Sequence, residues 1–301
     1  MRRNSRLTPL ARCTAWLVMF LMLFCGMPVP LTAGTTLWDP DQLLVNNNLS
    51  NGAGFGGFGL WDNTTPSWYT GTQAPGTLAA WNPGDTATFW GTGGTVIVSA
   101  PVSIGGLTFN TNAYTLASFN STNTLSLAAG TDTITLDTLL GATGATITSQ
   151  FAGAGNLVLT GGVYGGAIAG TLTSNGSAFT WTGSYTGTTT INNGMTFALA
   201  GNSVALQGTT GITLNNGGIL LTNTTAAEAA LDRVANGATI TSNGGTITVT
   251  NTVAAATPYS ETLGPVALTT GQLNIVSTAA NTGGTQLLTL GTGSLLSLIH
   301  I

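Results

Sequence analysis

The chain has 301 residues, a formal net charge of −4 and 5% charged residues, against about 25% in typical soluble domains. It contains no lysine, and four of its five arginines lie within the first dozen positions. Nucleic acids and anionic lipids are bound by clustered Lys and Arg. This composition therefore excludes both as partners of the chain beyond those positions.

The first 33 residues predict a secretory signal peptide. Arginines precede an apolar run from Ala15 to Met27, small residues follow, and we expect cleavage after Ala33. An uncleaved membrane anchor is the alternative, but the run is short for a bilayer span. Cleavage would remove both cysteines, Cys13 and Cys25, and leave one arginine against nine acidic residues. The mature chain could then form no disulfide.

The segment 34–94 is rich in aromatic residues. They include Trp38, Trp61, Trp68, Tyr69, Trp81, Phe89 and Trp90. The open end of a stack of strands exposes core and strand edges, and bulky side chains cover them, so this segment predicts an N-terminal cap. The alternative is a carbohydrate-binding module in which Trp61, Trp68 and Trp81 contact glycan rings while nearby aspartates accept hydroxyl hydrogen bonds.

From residue 95 to residue 293, short alternations of apolar and polar residues recur. They cover 95–110, 123–137, 144–149, 156–162, 187–201, 211–224, 237–252, 265–278 and 285–293. Period-two alternation with β-branched residues, bounded by Gly and Asn, is typical of strands, and its repetition is typical of a solenoid. The alternative is an antiparallel sandwich in which the Asn-Gly pairs form hairpin turns.

One unit recurs before three of these strands, as "NNGMTFAL", "NNGGILLT" and "SNGGTITV". Its glycines, Gly194, Gly217 and Gly244, are separated by roughly one solenoid coil of about 20–50 residues. Asn and Gly accept the positive φ that a tight corner requires. We therefore predict a corner at each glycine, followed at once by a strand.

The segment "TTAAEAALDRVANG" interrupts the pattern and predicts a short helix near 225–236. Thr225 and Glu228 form a capping box, and Gly237 follows the last turn. Glu228 and Asp232 would then share one face, as a pair for acid–base chemistry or for a cation. The simpler interpretation, which we favour, is a helical insertion with Arg233 exposed or paired locally.

The last eight residues, 294–301, depart from the Thr/Asn pattern and contain the single histidine, His300. We interpret them as a truncated or non-native tail. If so, the mature chain has no histidine and no cysteine for a catalytic triad or a metal centre.

Several stretches resemble bacterial proteins with autotransporter-associated β-strand repeats. The start of those proteins, W-D…W…W-N-P-G-D-x-A-x-F and then V-x-G-L-T-F, is matched by Trp61-Asp62, Trp68, Trp81 to Asp85, Phe89 and Ile104 to Asn110. The repeat is matched by "GSYTGTTTINNGMTFAL", in which Met195 and Phe197 vary. The later stretches 231–252 and 259–290 are similar to the extended form of the family, so the resemblance covers most of residues 38–290.

The resemblance implies a secreted, right-handed parallel β-helix of the passenger type, displayed at the surface or released, without enzyme activity. No segment here matches the membrane anchor of such proteins. We therefore expect a region downstream of this sequence to anchor or export the protein.

Parallel β-helices also include polysaccharide lyases and glycoside hydrolases, which need converging carboxylates. The nearest local pair is Asp132 and Asp137, whose spacing on one strand directs them to opposite faces. Arg233 is the one cationic residue left in the mature chain, whereas lyases usually need a cationic base. Catalysis is thus the weakest of three hypotheses, behind a carbohydrate-binding module.

We therefore predict an all-β, right-handed parallel β-helix with an aromatic-rich N-terminal cap and one short helical insertion. We expect it to be a non-catalytic structural or adhesive protein, secreted or at the bacterial cell surface in association with the outer membrane. Its expected partners are extracellular glycans or surface proteins. We predict no cofactor, no metal and no membrane insertion of the mature chain.

Overall fold

The computed structural model describes residues 34–73, 75–136, 144–161, 170–176, 185–253, 258–279 and 285–293. The predicted signal peptide and the tail after residue 293 lie outside these ranges. Within them the chain forms 25 strands, a single 3₁₀ turn at Leu44–Asn46 and one short helix, α1, at Ala226–Ala229. No helix in these ranges is long and apolar enough to cross a membrane.

The strands form two long sheets and two short ones. Sheet 1 has the spatial order β23 (Val266–Leu268), β20 (Thr239–Ser242), β18 (Gly211–Leu214), β16 (Thr189–Ile191), β14 (Asn156–Gly161), β11 (Thr131–Leu136), β8 (Gly106–Phe109), β5 (Thr86–Phe89), β1 (Thr35–Trp38), β3 (Trp68–Thr70), β4 (Thr77–Ala79). Sheet 2 has the order β2 (Gly59–Trp61), β6 (Thr95–Val98), β9 (Thr115–Ser118), β12 (Gly144–Ile147), β15 (Gly170–Asn175), β17 (Met195–Ala200), β19 (Gly217–Asn223), β21 (Gly245–Asn251), β24 (Leu273–Ala279). The short sheets are β7 (Val102–Ile104), β10 (Leu125–Leu127), β13 (Phe151–Gly153), and β22 (Tyr259–Leu263) with β25 (Gln286–Leu290).

From β14 to β21, successive strands alternate between the long sheets, and each pairs in parallel with its counterparts one coil away. β16, β18 and β20 are neighbours in sheet 1, while β17, β19 and β21 are neighbours in sheet 2. This arrangement is a parallel β-solenoid, as predicted. The sandwich alternative is wrong, because the Asn-Gly corners join strands of different sheets and form no hairpins there.

The three predicted corners use two different physical devices. Gly194 and Gly244 have φ of 76° and 94°, the left-handed region that favours glycine. At the middle corner Asn216 takes the positive φ, 55°. Gly217 is required there for another reason: a Cβ at this position would lie 2.5 Å from the Ile191 carbonyl oxygen. Close approach between coils, rather than backbone conformation, explains that glycine.

The core consists of columns in which equivalent residues of successive coils lie one above another. In sheet 2, Phe197, Ile219, Ile247 and Ile275 are paired in this way. The first three are at most 1% exposed, whereas Ile275, on the last strand of the sheet, is 40% exposed. Because side chains alternate between faces of a strand, every second residue faces this interior.

The N-terminal segment extends both long sheets. β1 pairs in parallel with β5, and β2 pairs in parallel with β6. β3 and β4 then add to the end of sheet 1 in antiparallel orientation. The predicted division into a cap at 34–94 and a solenoid at 95–293 remains a prediction.

The helical insertion is present but shorter than predicted. Thr225 accepts a hydrogen bond from the Glu228 N–H at 3.2 Å, and the Glu228 carboxylate accepts one from the Thr224 N–H at 2.7 Å. The helix ends at Ala229, so Asp232 does not share its face, and Gly237 does not terminate it. The expectation that Arg233 is exposed or paired locally is wrong: the side chain is completely buried, and its partners lie 10–32 residues away in the sequence.

We predict that Ile247→Ala lowers the free energy of unfolding by about 2–5 kcal/mol, because it opens a cavity in a continuous column. Urea unfolding followed by circular dichroism measures this change. Thr248→Ala is the matched control: the next residue faces outward, and we expect a change within about 0.5 kcal/mol. Equal effects of the two substitutions would contradict the assignment of faces.

Candidate functional site

The outward side of sheet 2 forms a broad surface that we call the threonine face. Its first column contains Thr95, Thr115, Thr146, Thr173, Ala198, Leu220, Thr248 and Val276, in the order of the paired strands. Beside it run Thr171, Thr196, Gly218 and Thr246 on one side and Thr222, Thr250 and Thr278 on the other. None of these side chains is ionisable.

The geometry of this face follows from strand pairing. Equivalent residues of adjacent parallel strands lie about 4.8 Å apart, and residues two apart on one strand lie about 6.6 Å apart. The face is therefore a grid of methyl and hydroxyl groups, and each hydroxyl both donates and accepts hydrogen bonds. Such a grid can contact a target at many equivalent points.

A row of asparagines follows sheet 1 at the corners. The Asn215 Nδ2 donates to the Asn192 Oδ1 at 2.9 Å, and the Asn243 Nδ2 donates to the Asn215 Oδ1 at 2.7 Å. The Asn215 amide therefore uses one donor and one acceptor on its neighbours in the row. This row stabilises the stacking of the coils and leaves fewer free groups for binding than the threonine face.

The three tryptophans predicted as glycan contacts come together inside the N-terminal region. Trp61 and Trp68 are 0% exposed and Trp81 is 3% exposed. Their ring centroids lie 4.9 Å apart for Trp61 and Trp68, 4.8 Å for Trp61 and Trp81, and 4.7 Å for Trp68 and Trp81. Phe89 continues the cluster and stacks on Phe109 at 5.0 Å, which joins it to the solenoid core.

This packing limits the ability of the three indole rings to bind a glycan. A ring whose faces contact other rings cannot stack on a sugar unless the cluster opens. The Trp81 indole N–H donates to the Ser103 carbonyl at 2.9 Å and is likewise unavailable. Glycan contact through these residues remains a prediction, and their burial argues against it.

The interior contains a polar network around Arg233 that the sequence analysis missed. The guanidinium donates to the carbonyl oxygens of Gly201, Ser203 and Thr222 and to the Asn223 Oδ1, at 2.6–3.3 Å. The Glu261 carboxylate accepts from the backbone N–H groups of Arg233 and Val234 and from the Tyr259 hydroxyl. Burial raises the pKa of Glu261 to about 7 and lowers the pKa of Arg233. The network joins successive coils at the point where α1 interrupts them.

The carboxylates considered for catalysis do not form a site. Asp132 is 2% exposed and faces the interior opposite Leu157 on the next coil, while Asp137 lies outside the described residues. Burial raises the pKa of Asp132 to about 6, although the Ala128 N–H donates to it. In the described part of the chain, no three His, Cys, Asp or Glu residues are grouped to hold a metal ion.

We predict that Arg233→Ala lowers the free energy of unfolding by about 3–5 kcal/mol, because it leaves the buried acceptors around the guanidinium without a donor and removes the positive charge that interacts with Glu261. Urea unfolding at pH 7 measures the loss. Asp232→Asn, at the neighbouring position and only partly buried, should change stability by less than about 0.5 kcal/mol. A similar small change for Arg233→Ala would mean that the network does not hold the coils together.

We predict that Asp132→Asn stabilises the protein at pH 7.5 but not at pH 3.5. With a folded-state pKa of about 6 against 3.8 unfolded, burial penalises the ionised carboxyl, and this penalty disappears as the pH falls from about 6 to about 4. We expect a gain of roughly 1–2 kcal/mol at pH 7.5, allowing for solvent screening. Urea midpoints of both proteins at the two pH values test this. A difference that does not depend on pH would contradict it.

Comparisons with known proteins give one informative match. No protein-family model matches the chain, and no solved structure matches it. Over 178 residues, 57% of its length, the chain is 33% identical to the adhesin BmaC autotransporter of Brucella suis biovar 1 (strain 1330). The matched part is 5% of that protein, so this chain spans a small fraction of its length. The chain is thus a β-solenoid with similarity to part of an autotransporter adhesin.

Proposed function

We propose that this chain is a non-catalytic segment of a secreted or cell-surface adhesive protein of the autotransporter passenger type. In this proposal the threonine face contacts the target, and the rest of the molecule holds that face in position. The observation that carries the proposal is the continuity of an uncharged hydroxyl and methyl grid across eight of the nine strands of sheet 2, from β6 to β24.

The grid suits weak binding at many points. A single hydroxyl contributes little to affinity, because it exchanges a hydrogen bond to water for one to the target. Many equivalent contacts on a rigid surface add through avidity, without any strong individual site. Extracellular glycans and surface proteins both present the hydroxyl and amide groups that such a grid can bind.

Sheet 2 is a better contact surface than sheet 1. Its later strands, β19, β21 and β24, have seven residues each. The corresponding strands of sheet 1, β18, β20 and β23, have four, four and three residues. Sheet 2 therefore presents a face three columns wide over this part of the molecule, whereas sheet 1 presents a narrower strip.

Two further considerations support the proposed location and class. The similarity to an autotransporter adhesin and the predicted signal peptide together favour export to the outer membrane or the medium.

Catalysis is not favoured, because the buried carboxylates of Asp85 and Glu261 accept hydrogen bonds from neighbouring N–H groups and from the Tyr259 hydroxyl. A carbohydrate-binding module built on Trp61, Trp68 and Trp81 is disfavoured by their burial.

We predict that charges on the threonine face abolish adhesion. In one variant, Thr146, Thr173, Thr196 and Thr248 are all replaced by Glu. Microspheres coated with the secreted chain would be tested for attachment to arrays of glycans and of extracellular proteins. We expect attachment to fall at least about tenfold, because each carboxylate keeps its water and disrupts the grid.

The matched control places the same four charges on the outward side of sheet 1, at Thr133, Thr160, Thr190 and Thr213. We expect it to attach like the unmodified chain, and both variants should keep the far-UV circular dichroism of the parent. Equal attachment by the two variants would contradict the assignment of the binding face. No attachment of the parent chain to any surface would contradict the adhesive function.

A further inference from the structure

The loop that follows β1 brings two carboxylates together beside the N-terminal aromatic cluster. Asp39 directly follows Trp38, is 0% exposed, and its N–H donates to the Ser67 carbonyl at 2.9 Å. Asp41, two residues later, is exposed, and its carboxyl group is close enough to that of Asp39 for the two to interact electrostatically. Two neighbouring carboxylates repel each other unless a positive charge or a proton lies between them.

No basic side chain in the described part of the chain neutralises this pair. Arg233 is the one Lys or Arg there, and its guanidinium is bound to Gly201 and Ser203. The hydrogen bonds that the pair receives come from neutral groups. The Leu43 N–H and the Asn46 Nδ2 donate to Asp41 at 2.9 Å and 2.7 Å.

The second observation concerns oxygen atoms without hydrogen-bond partners. The Asp39 Oδ2 accepts from the Asn47 Nδ2 at 2.6 Å, but the Asp39 Oδ1 is buried and has no partner among the described residues. The Asn47 Oδ1 is also buried without a partner there. A carboxylate oxygen left unpaired in a fully buried side chain is unfavourable, because it has lost its water and gained no donor.

We propose that Asp39 and Asp41, together with Asn47, bind a divalent cation of the calcium class. Carboxylate and amide oxygens are the ligands that calcium prefers, and calcium tolerates an irregular set completed by water. Magnesium demands near-octahedral geometry, and zinc prefers the nitrogen and sulfur ligands that this loop lacks. Rotation of the Asn47 amide about its last bond turns its oxygen toward Asp39.

The cation would fix the loop against the end of the solenoid. The loop closes where the Gly56 N–H donates to the Trp38 carbonyl at 3.0 Å, next to the aromatic cluster. It carries Leu43 and Val45, which are 54% and 96% exposed. Calcium would therefore act as a structural ligand of the N-terminal region, and extracellular media supply it at concentrations suited to a site of moderate affinity.

The test is calorimetric titration of the whole chain, freed of metal with a chelator at pH 7.5, with calcium chloride. Thermal unfolding followed by tryptophan fluorescence accompanies it. We expect one calcium ion per chain and a rise in Tm of at least about 3 °C at saturating calcium, because a ligand that binds the folded state stabilises it. Magnesium at the same concentration should give a smaller rise.

Two variants and one control decide the assignment. Asp41→Asn, at an exposed position, should bind calcium at least about tenfold more weakly and lose the rise in Tm. Asp39→Asn should also lose the response, yet be at least as stable as the parent without calcium, because the carboxylate pair is gone. Asp62→Asn, which removes a carboxylate bound to Thr64 and Thr65 in another loop, should keep the full response. No calcium binding by the parent, or a parent-like response of Asp41→Asn, would overturn the proposal.

Discussion

The structure depends on in-register hydrogen bonding between parallel strands of successive coils. This pairing satisfies the backbone groups of each strand with those of the coils above and below it. It also places each residue directly over its counterpart, as Leu172, Phe197 and Ile219 are placed in sheet 2. The apolar columns inside and the threonine columns outside are thus two results of one register. A slip of one residue would exchange the two faces.

The same register explains how a chain so poor in charge can bury polar side chains. Inside the solenoid, the hydroxyl of Ser118 donates to that of Ser149, and the hydroxyls of Ser174 and Ser203 are bonded at 2.8 Å. A hydroxyl that faces another hydroxyl one coil away has a partner at the correct distance. Arg233 extends this logic to a charged group, whose hydrogens are distributed over acceptors of neighbouring coils. Polar groups inside therefore connect the coils to one another.

Much of the fold could be predicted from the sequence because its signals are local. Alternation of apolar and β-branched residues, as in Gly245–Asn251, identifies a strand without knowledge of its partner. Asn and Gly identify corners for the same reason. The repetition of both signals was sufficient to favour a solenoid over a sandwich, and the pairing of β16 with β14 and β18 confirms that choice.

The parts that could not be predicted depend on distant contacts. The acceptors of the Arg233 side chain come from residues 10–32 positions away, so nothing near it in the sequence indicates that it is buried. The same applies to Trp61, Trp68 and Trp81, whose mutual packing needs β3 to fold back on β1. A useful signal was present. A single arginine in an almost uncharged chain is expected at a site that neutralises its charge. The width of the threonine face could not be predicted either, because it depends on strand length.

Because the threonine face is neutral, the contacts made on it respond differently to dissolved salt from contacts between charged groups. None of the strands of sheet 2 carries an ionisable side chain, so contacts made there rest on dispersion and on hydrogen bonds between neutral groups. Dissolved ions screen charged pairs over about 10 Å at 0.1 M ionic strength, but they have little to screen here. Contacts on this surface would therefore depend less on ionic strength than contacts between charged groups. The surface would also lack long-range electrostatic attraction, so its encounters would depend on diffusion alone.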